Sequence, residues 1–199
     1  MRVKSEARRQ AIVDVAKEAF SKQGFENTSM SEIASRVGGS KATLYNYFSS
    51  KEEIFAAVME SSATEQIAGA FKLLEKANDI RSTLLNFGLH YLSSILAPDI
   101  MAIRKMAINE ADRSDIGRHF YENGPKKGWL LVSNYLQQQI EQQRLINCDA
   151  GICATHLKAL LEAEVVEPYA LGVITPPDEN QLIAIVSRAI TVFLRAYQP

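Results

Sequence analysis

The stretch that decides the fold runs Thr28-Ser-Met-Ser-Glu-Ile-Ala-Ser-Arg-Val-Gly-Gly-Ser-Lys-Ala-Thr-Leu-Tyr-Asn-Tyr-Phe48. Its pattern predicts two short helices joined by a glycine turn. Ser29 and Glu32 have the spacing of a capping box, in which each side chain satisfies a free backbone amide at the start of a helix. Gly38 and Gly39 can adopt the positive φ of a sharp turn without the steric penalty of a Cβ atom. We therefore expect the first helix to end at this glycine pair.

The second helix of the stretch is predicted to begin after Ser40 and to end near Phe48. Ser40 can cap it, and Leu44 and Phe48 lie four residues apart, so both can face the core. The remaining side chains face outward or sideways: Lys41, Ala42, Thr43, Tyr45, Asn46 and Tyr47. A helix that lies in a groove of DNA needs such a surface, and few enzymes do.

The charge of the chain is unevenly distributed around this stretch. Residues 1–51 contain nine Lys and Arg against five Asp and Glu, and the rest of the chain contains 13 against 18, although the formal net charge is only −1. A basic segment on an acidic remainder is expected if only that segment meets phosphate. The basic residues at the N-terminus are equally consistent with a solvated end and with an arm that reaches DNA: Arg2, Lys4, Arg8 and Arg9.

The remaining segments also predict helices, and none alternates with the period of a strand, so we expect an all-α fold. Residues 5–20 have apolar positions at spacings of three and four, and Gly24 stops that helix. Together with the opening stretch it predicts a three-helix unit with this core: Ile12, Val15, Ala16, Ala19, Phe20, Phe25, Ile33, Val37, Leu44 and Phe48. This unit holds fewer than sixty residues, so its core needs further packing partners.

The body of the chain is predicted to be a bundle of longer helices. A capping box at Ser50 and Glu53 starts a helix that continues through Lys76 and includes Ile67. Further helices are expected at residues 81–96, 99–111, 114–121, 126–143, 150–166 and 178–197. The predicted domains are residues 1–50, a helix-turn-helix DNA-binding head, and residues 51–199, an effector-binding and dimerisation body.

The run Ile33-Ala-Ser-Arg-Val-Gly-Gly-Ser-Lys-Ala-Thr-Leu-Tyr-Asn-Tyr-Phe-Ser-Ser-Lys-Glu-Glu-Ile-Phe55 closely resembles the DNA-binding signature of TetR/AcrR-type transcriptional regulators. Residues 109–113 and 120–125 more loosely resemble the AefR-like branch. The resemblance implies a three-helix head, a helical effector-binding body and a homodimer that usually acts as a repressor. Gly39 departs from the pattern, since the family normally has an apolar residue there, often Val. We expect the missing apolar side chain at position 39 to remove a core contact and to loosen the second helix.

By the same resemblance, several positions correspond to those that family members use on DNA: Ser29, Met30, Lys41, Ala42, Thr43, Tyr45, Asn46, Tyr47 and Lys51. Their chemistry suits this role. Hydroxyl groups and amines can hold phosphate oxygens, and the amide of Asn46 can pair with a base edge. We therefore expect operator DNA as a partner, read in the major groove by the helix from Lys41.

Polar-tipped aromatic residues and methionines in the body favour a pocket for a small apolar or aromatic effector. The candidate ligand-binding residues are Phe87, His90, Tyr91, Met101, Met106, Phe120, Tyr121 and Trp129. Most of these positions are also consistent with an ordinary core. A homodimer is expected through apolar faces of the last two helices, built from Leu157, Leu160, Leu161, Ile183, Val186, Ile190, Phe193 and Leu194.

Other chemistries are not supported by the sequence. Cys148, Cys153 and His156 have no evident fourth metal ligand, and no Asn or Asp is placed to orient His156 for cysteine catalysis. Glu162 and Glu164 fall on different helix faces, so they are poor acid and base partners. We expect no catalytic residue, no metal and no cofactor. With neither a signal peptide nor a membrane span indicated, we expect a cytoplasmic protein with reduced thiols.

Two hypotheses about function remain open. The first is a ligand-controlled repressor, and the second is a DNA-binding module that a protein partner gates, or that nothing gates. A screen of hydrophobic compounds by thermal shift separates them, because a ligand that prefers the native state raises its melting temperature. An enzyme is a more distant third class.

Overall fold

A computed structural model describes residues 5–66, 68–75 and 79–199, apart from the side chains of residues 60, 62–66, 68 and 75. Arg2, Lys4, Ile67 and Lys76, which enter the sequence argument, lie outside the described residues. The described helices are α1 (Glu6–Gln23), α2 (Met30–Val37), α3 (Lys41–Tyr45), α4 (Lys51–Gln66), α5 (Ala68–Lys72), α6 (Ile80–Ile95), α7 (Pro98–Asn109), α8 (Ile116–Asn123), α9 (Pro125–Glu141), α10 (Ala150–Glu162), α11 (Val166–Ala170) and α12 (Glu179–Tyr197). Within this described part there is no strand, which confirms the predicted all-α fold.

The chain divides into two compact units. Unit 1 comprises the described residues up to Ala63 together with Pro98–Gly124, and unit 2 comprises Thr64–Ala97 and Pro125–Pro199. Helices α7 and α8 therefore pack with the N-terminal helices. The functional boundary expected after residue 50 stays a prediction.

The core of unit 1 contains the residues expected for a three-helix head, but it is larger. Every expected member is buried except Val15 and Val37, which are half-buried. Apolar residues from three further helices complete it: Ile54, Phe55 and Val58 of α4, Ile103, Met106 and Ala107 of α7, and Ile116 of α8. The rings of Phe20, Phe25 and Phe55 pack with centroids 5.4 to 5.7 Å apart. The additional packing that such a small head requires is thus supplied within unit 1.

Side-chain caps fix several helix starts. Ser5 caps α1, Asp79 caps α6 and Asp149 caps α10, each by accepting a hydrogen bond from a backbone N–H of the first turn. Asp178 and Gln181 form a complete capping box at α12. Helix α12 is thereby anchored at its first residue.

Three helix ends differ from the sequence expectation by more than two residues. Helix α3 ends at Tyr45 rather than near Phe48, and Asn46 is its C-cap. The last α-helical residue before the expected end at Lys76 is Lys72, after which Leu73–Glu75 form a 3-10 turn. Helix α10 ends at Glu162, and Pro168 lies inside the short helix α11. Proline is tolerated there because an N–H group of the first turn has no helical partner.

Helix α6 is the central helix of unit 2. It packs against α10 and α12, and Gly88 is what permits the close approach: a Cβ atom there would lie 2.7 Å from Val186 Cγ1 and 2.9 Å from Leu161 Cδ2. Phe87, Leu84 and Leu92 of the same helix are completely buried. The prediction that this segment runs through the middle of the second domain agrees with that burial.

The apolar residues expected to form a dimer interface belong mainly to this core. Six of them are 0 or 1% exposed in the protomer: Leu157, Leu161, Val186, Ile190, Phe193 and Leu194. These side chains pack against other helices of unit 2, because an amphipathic helix buries its apolar face in the core of its own domain. Ile183 is 44% exposed and Leu160 is half-buried.

Candidate nucleic-acid interface and aromatic cluster

The two helices of the opening stretch are positioned by local hydrogen bonds. Ser29 Oγ accepts from the backbone N–H of Glu32 at 3.1 Å, and Ser40 Oγ accepts from the N–H of Thr43 at 3.1 Å. The Glu32 carboxylate accepts from Gln23 and Arg36 instead. The N-terminus of α2 is thus capped by Ser29, with the acid turned to other partners.

Only one of the two glycines in the turn needs to be glycine for its backbone. Gly38 has φ 72° in the left-handed region, where its N–H bonds the end of α2. Gly39 is not among the residues with positive φ, and a Cβ atom there would meet Arg8 Nη2 at 3.0 Å. A shallow pocket of about 10 Å³ beside it is lined by Ile12, Ala34, Val37 and Leu44, among others. The loss of a core contact at Gly39 stays a prediction.

Arg8 and Arg9 serve the fold of the head in this structure. Arg8 Nη2 donates to the carbonyl of Gly38 at 3.1 Å, which ties α1 to the turn between α2 and α3. The Arg9 guanidinium lies 5.1 Å from the centre of the Phe48 ring. The sequence alone is consistent with a solvated end or an arm that reaches DNA, because contacts across thirty or more residues leave no local pattern.

The candidate DNA contacts fall into two groups by exposure. Ser29 and four residues of α3 and its C-cap are exposed: Lys41, Ala42, Tyr45 and Asn46. Thr43 and Tyr47 are half-buried; Thr43 Oγ1 bonds Ser40 Oγ, and the Tyr47 hydroxyl accepts from the N–H of Ser5 at 3.3 Å. The exposed group offers an amine, a phenol and an amide on one short helix, the polar set expected from the sequence.

Met30 and Lys51 are placed differently from that expectation. Met30 is 9% exposed and packs in the core of unit 1, because the first residue of α2 turns toward α1. Lys51 is half-buried, and its Nζ donates to the carbonyl of Phe25 at 2.7 Å and lies 4.1 Å from the centre of the Phe25 ring. Neither side chain is presented to solvent in the way that a phosphate contact requires.

Three of the candidate ligand residues form one aromatic cluster in unit 2. The Phe87 and Tyr91 rings stack at 5.7 Å, and Trp129 meets both edge-on. Trp129 Nε1 donates to the Tyr91 hydroxyl at 3.3 Å, and that hydroxyl donates to Glu162 at 2.5 Å. Gly128 lets Phe71 join the cluster, since a Cβ atom there would lie 2.6 Å from Phe71 Cζ. We call this group the aromatic cluster.

The other five candidates lie outside the aromatic cluster. His90 is exposed, with Nδ1 at 3.0 Å from the carbonyl of Asn86. Met101, Met106, Phe120 and Tyr121 belong to unit 1, where the two methionines are buried and Tyr121 is 58% exposed. The structure therefore does not bring the eight residues together within one unit. Composition could not separate them, because a methionine or an aromatic residue has the same apolar character in either core.

The cysteines show no metal or nucleophile geometry. Cys153 is buried and Cys148 half-buried, and burial, followed by the neighbouring Cys148, raises the pKa of the Cys153 thiol to about 12. His156 Nδ1 shares a hydrogen bond with the Tyr197 hydroxyl. No group of three or more potential ligands is poised for a metal in the described part of the chain. Likewise, no helix described there is both long and apolar enough to span a bilayer.

Comparison with known proteins gives the same picture over most of the chain. Residues 12–58 match the family described as bacterial regulatory proteins, tetR family. Residues 82–199 match the C-terminal domain of AefR-like transcriptional repressors. The second match alone covers more than half of the chain. Both halves of the sequence thus correspond to parts of one kind of regulator.

Individual relatives agree with the family matches. The HTH-type transcriptional activator FasR of Mycolicibacterium smegmatis is 35% identical over 83 residues, which is 42% of this chain and 38% of FasR. A crystal structure of a TetR-family regulator from Mesorhizobium loti superposes over 100% of both chains with a TM-score of 0.89 at 24% identity. The flavonoid-responsive regulator FrrA covers 98% of this chain and 99% of its own, with 26% identity and a TM-score of 0.77. A capped helix-turn-helix, a helical C-terminal unit and these matches together identify the chain as a member of the TetR family of DNA-binding transcriptional regulators, with a C-terminal domain of the AefR-like kind.

Proposed function

We propose that this protein is a homodimeric repressor that leaves its operator when a small apolar or aromatic effector binds. The observation that carries the proposal is the exposed polar face of α3, held by buried Leu44 and by the tether from Arg8 to Gly38. Helix α3 enters the major groove from its capped N-terminus. Each protomer reads one half-site, and the centres of the half-sites lie about one helical turn apart.

The proposed contacts on DNA are those that the structure leaves accessible. Lys41 supplies charge to phosphate, Tyr45 a hydroxyl to phosphate, and Asn46 an amide to a base edge. Ser29, Ala42, Thr43 and Tyr47 border this surface. Met30 and Lys51 are left out, because the first is buried and the second is engaged with Phe25.

The effector is proposed to enter unit 2 at the aromatic cluster. Trp129 Nε1 already donates a hydrogen bond to the Tyr91 hydroxyl, so a ligand that separates the rings must offer replacement partners. An aromatic molecule with polar groups meets that requirement, and FrrA, a relative over nearly the whole chain, is described as flavonoid-responsive. The effector must bind the state with low DNA affinity more tightly than the other state, or the equilibrium does not shift.

The dimer is proposed to form through α10 and α12. Their exposed faces still carry apolar and small residues: Gly151, Ile152 and Ala159 of α10, and Ile183, Ala184 and Val192 of α12. Small residues let helices approach closely, and a two-fold axis makes the same patch self-complementary. A repressor role follows the AefR-like description of residues 82–199, whereas FasR is an activator. Expression from a promoter fusion, compared in cells with and without the gene, shows whether the protein represses or activates transcription.

Replacing one exposed tyrosine tests the function directly. A duplex obtained by in vitro selection with the purified protein serves as the operator, and affinity is measured by fluorescence anisotropy. Tyr45→Ala should weaken specific binding at least about tenfold, because a phosphate hydrogen bond and its packing are lost. The mass of the dimer in light scattering should not change. Tyr121→Ala, which removes a similarly exposed tyrosine from α8, is the matched control.

Unchanged affinity of Tyr45→Ala would contradict this use of α3. The effector half of the proposal is tested separately by thermal shift with flavonoids and other aromatic compounds. A compound that stabilises the wild type but not Trp129→Ala supports it. If no compound does so, the alternative is favoured, a DNA-binding regulator gated by a protein partner or ungated. The observation that favours this alternative is that Trp129 and Tyr91 already have hydrogen-bond partners without a ligand, since Trp129 donates to Tyr91 and Tyr91 donates to Glu162.

A further inference from the structure

The chain has two cysteines, and both lie at the start of α10. Asp149 is the N-cap of this helix and accepts hydrogen bonds from the N–H groups of Gly151 at 2.8 Å and Ile152 at 3.0 Å. Cys148 is therefore the residue just before the cap, and Cys153 is the fourth residue of the helix. Side chains at these two positions often pack against each other over the first turn of a capped helix. The cap thus brings together two thiols that are five residues apart in sequence.

The surroundings of Cys153 agree with this pairing. Burial raises the pKa of its thiol, and the neighbouring Cys148 raises it further by its charge and by hydrogen bonding. The two side chains differ in exposure, since Cys153 is completely buried and Cys148 is half-buried. A small solute in water therefore reaches Cys148 first.

Tyr197, the last residue of α12, lies beside the same pair. Burial raises the pKa of its phenol, and the charges of Cys153 and then Cys148 raise it further. The phenol shares a hydrogen bond with His156 Nδ1, and the Tyr197 carbonyl accepts from the N–H of Ile146 at 2.8 Å. The end of α12 is thus held at two points by the segment that contains the cysteines.

The pair is suited to oxidation rather than to catalysis. His156 is engaged with Tyr197, and burial favours the protonated form of the Cys153 thiol. Formation of a disulfide needs neither a catalytic base nor a third residue, only two neighbouring thiols and an oxidant. Both thiols are free in this structure, so the oxidised form is a second state of the same residues.

We propose that Cys148 and Cys153 are a redox modification site, at which a peroxide converts the two thiols into a reversible intramolecular disulfide. The Cys148 thiolate attacks one oxygen of hydrogen peroxide, the O–O bond breaks, and Cys148 becomes a sulfenic acid. The hydroxide that leaves takes up the proton that Cys148 lost. The Cys153 sulfur then bonds to the Cys148 sulfur, and the sulfenic hydroxyl leaves with the Cys153 proton as water. The two thiols lose two electrons and two protons in all, and one peroxide becomes two waters.

The disulfide would act on the end of α12. It draws the segment before Asp149 onto the first turn of α10, and Ile146 of that segment holds the Tyr197 carbonyl. The Tyr197 ring packs on Phe193 with centroids 4.9 Å apart, so a shift of Tyr197 also changes this contact in the core of unit 2. Neither the α3 surface nor the aromatic cluster contributes a residue to the pair, so the site does not depend on the proposals made for them.

Thiol counting on the full-length protein tests the proposal. Reduced protein is freed of reductant, treated with about a tenfold molar excess of hydrogen peroxide and alkylated with N-ethylmaleimide under denaturing conditions. The untreated protein should take up two maleimides, the oxidised protein none, and the oxidised protein after dithiothreitol two again. Trypsin cuts after Arg144 and Lys158, so both cysteines fall in one peptide, which should lose about 2 Da when the disulfide forms.

Two variants assign a role to each thiol. In Cys153→Ala the sulfenic acid has no partner, so dimedone, which reacts with sulfenic acids, should label Cys148. In Cys148→Ser the remaining thiol is buried and should be oxidised at least about tenfold more slowly than Cys148 in Cys153→Ala. Circular dichroism checks that both variants are folded, and the peptide mass of the wild type decides the proposal where one is not.

Hydrogen exchange measures the proposed effect on α12. Oxidation should change exchange at Ile146 and in the last turn of α12 and leave α2 and α3 unchanged. Unchanged exchange at Tyr197 would overturn the coupling to α12. A disulfide between two protein molecules on a non-reducing gel, a sulfinic acid at Cys148 with an alkylatable Cys153, or two intact thiols after peroxide would each overturn the modification site itself. None of these results bears on operator or effector binding.

Discussion

At the scale of single residues, two adjacent glycines of the head have opposite roles. Gly38 occupies the left-handed region with φ 72°, where any Cβ atom is strained. Gly39 adopts no such conformation, and the atom nearest to a Cβ there is Nη2 of Arg8 at 3.0 Å, which donates to the Gly38 carbonyl. The sequence pattern does not distinguish the two glycines, since both could serve a turn. The backbone φ angle does, because only Gly38 has a positive value.

Alanine at each position measures this difference. Gly38→Ala should destabilise the head by about 1–2 kcal/mol, because it places a Cβ atom in the left-handed region. Gly39→Ala should stay within about 0.5 kcal/mol of the wild type, because the freedom lost by the unfolded chain is offset by displacement of Arg8 Nη2 from the Gly38 carbonyl. Urea titration followed by circular dichroism, with hydrogen exchange of α2 and α3, provides the measurement. Stabilisation by both substitutions would contradict the assignment of the left-handed residue.

Two lysines of the head give a second residue-scale prediction. Lys41 is exposed on α3, whereas Lys51 Nζ is held by the Phe25 carbonyl. Lys41→Gln should reduce the slope of log affinity against log salt by about 0.9, as expected for one lost phosphate contact. Lys51→Gln should leave that slope unchanged but cost about 1 kcal/mol of stability. A reduced slope for Lys51→Gln would return this lysine to the set of DNA contacts.

At the scale of helices, capping decides where most elements begin, and this could be predicted. The hydroxyl groups of Ser29, Ser40 and Ser50 each accept a hydrogen bond from the backbone N–H three residues later, as their sequence positions indicated. The end of α3 at Tyr45 could not be predicted in this way. Leu44 and Phe48 have helical spacing, but a turn after Asn46 also buries both. Periodicity reports which residues are buried, and more than one backbone path satisfies it.

Two aspartates that precede helices should differ in their contribution to stability. Asp178 accepts from Gln181 N–H at 2.9 Å at the start of α12, whereas Asp115 before α8 makes no side-chain cap bond. Asp178→Ala should therefore lower stability by about 1 kcal/mol. Asp115→Ala should stay within about 0.5 kcal/mol of the wild type, as is usual for surface changes. Thermal unfolding in parallel compares them, and equal losses would contradict the capping argument.

At the scale of the whole molecule, the sequence predicted the class of fold, and it placed a short capped helix at α3, which we propose reads DNA. It did not separate the residues of the proposed pocket, which are divided between the two units. Nor did it distinguish internal from external faces of α10 and α12. Leu157 and Phe193 are buried in the protomer's own core, whereas Ile183 is exposed at its surface, although all three are apolar. Amphipathic pattern cannot assign an apolar residue to one of two partners.

The proposed dimer makes a prediction at this scale. Ile183→Glu places a charge on the exposed face of α12 and should convert the dimer to monomers in light scattering, because a buried unpaired charge is costly. Operator affinity should then fall by about 100-fold or more, since the two half-sites are no longer linked. Ile108→Glu, which changes an isoleucine of α7 in unit 1 that is 65% exposed against 44% for Ile183, is the control and should change neither property. A dimer that survives Ile183→Glu would place the interface elsewhere.

The close approach at Gly88 has a genetic consequence. Helix α6 touches Val186 and Leu161 only because residue 88 has no side chain, and even a methyl group would overlap both. Overpacking of this kind costs about 1–3 kcal/mol, which a domain of ordinary stability tolerates at low temperature and not near its melting point. Gly88→Ala is therefore the substitution from which a conditional allele is expected. Cells that carry it would keep the regulator at low growth temperature and lose it on warming, with the proposed DNA-reading surface itself unaltered.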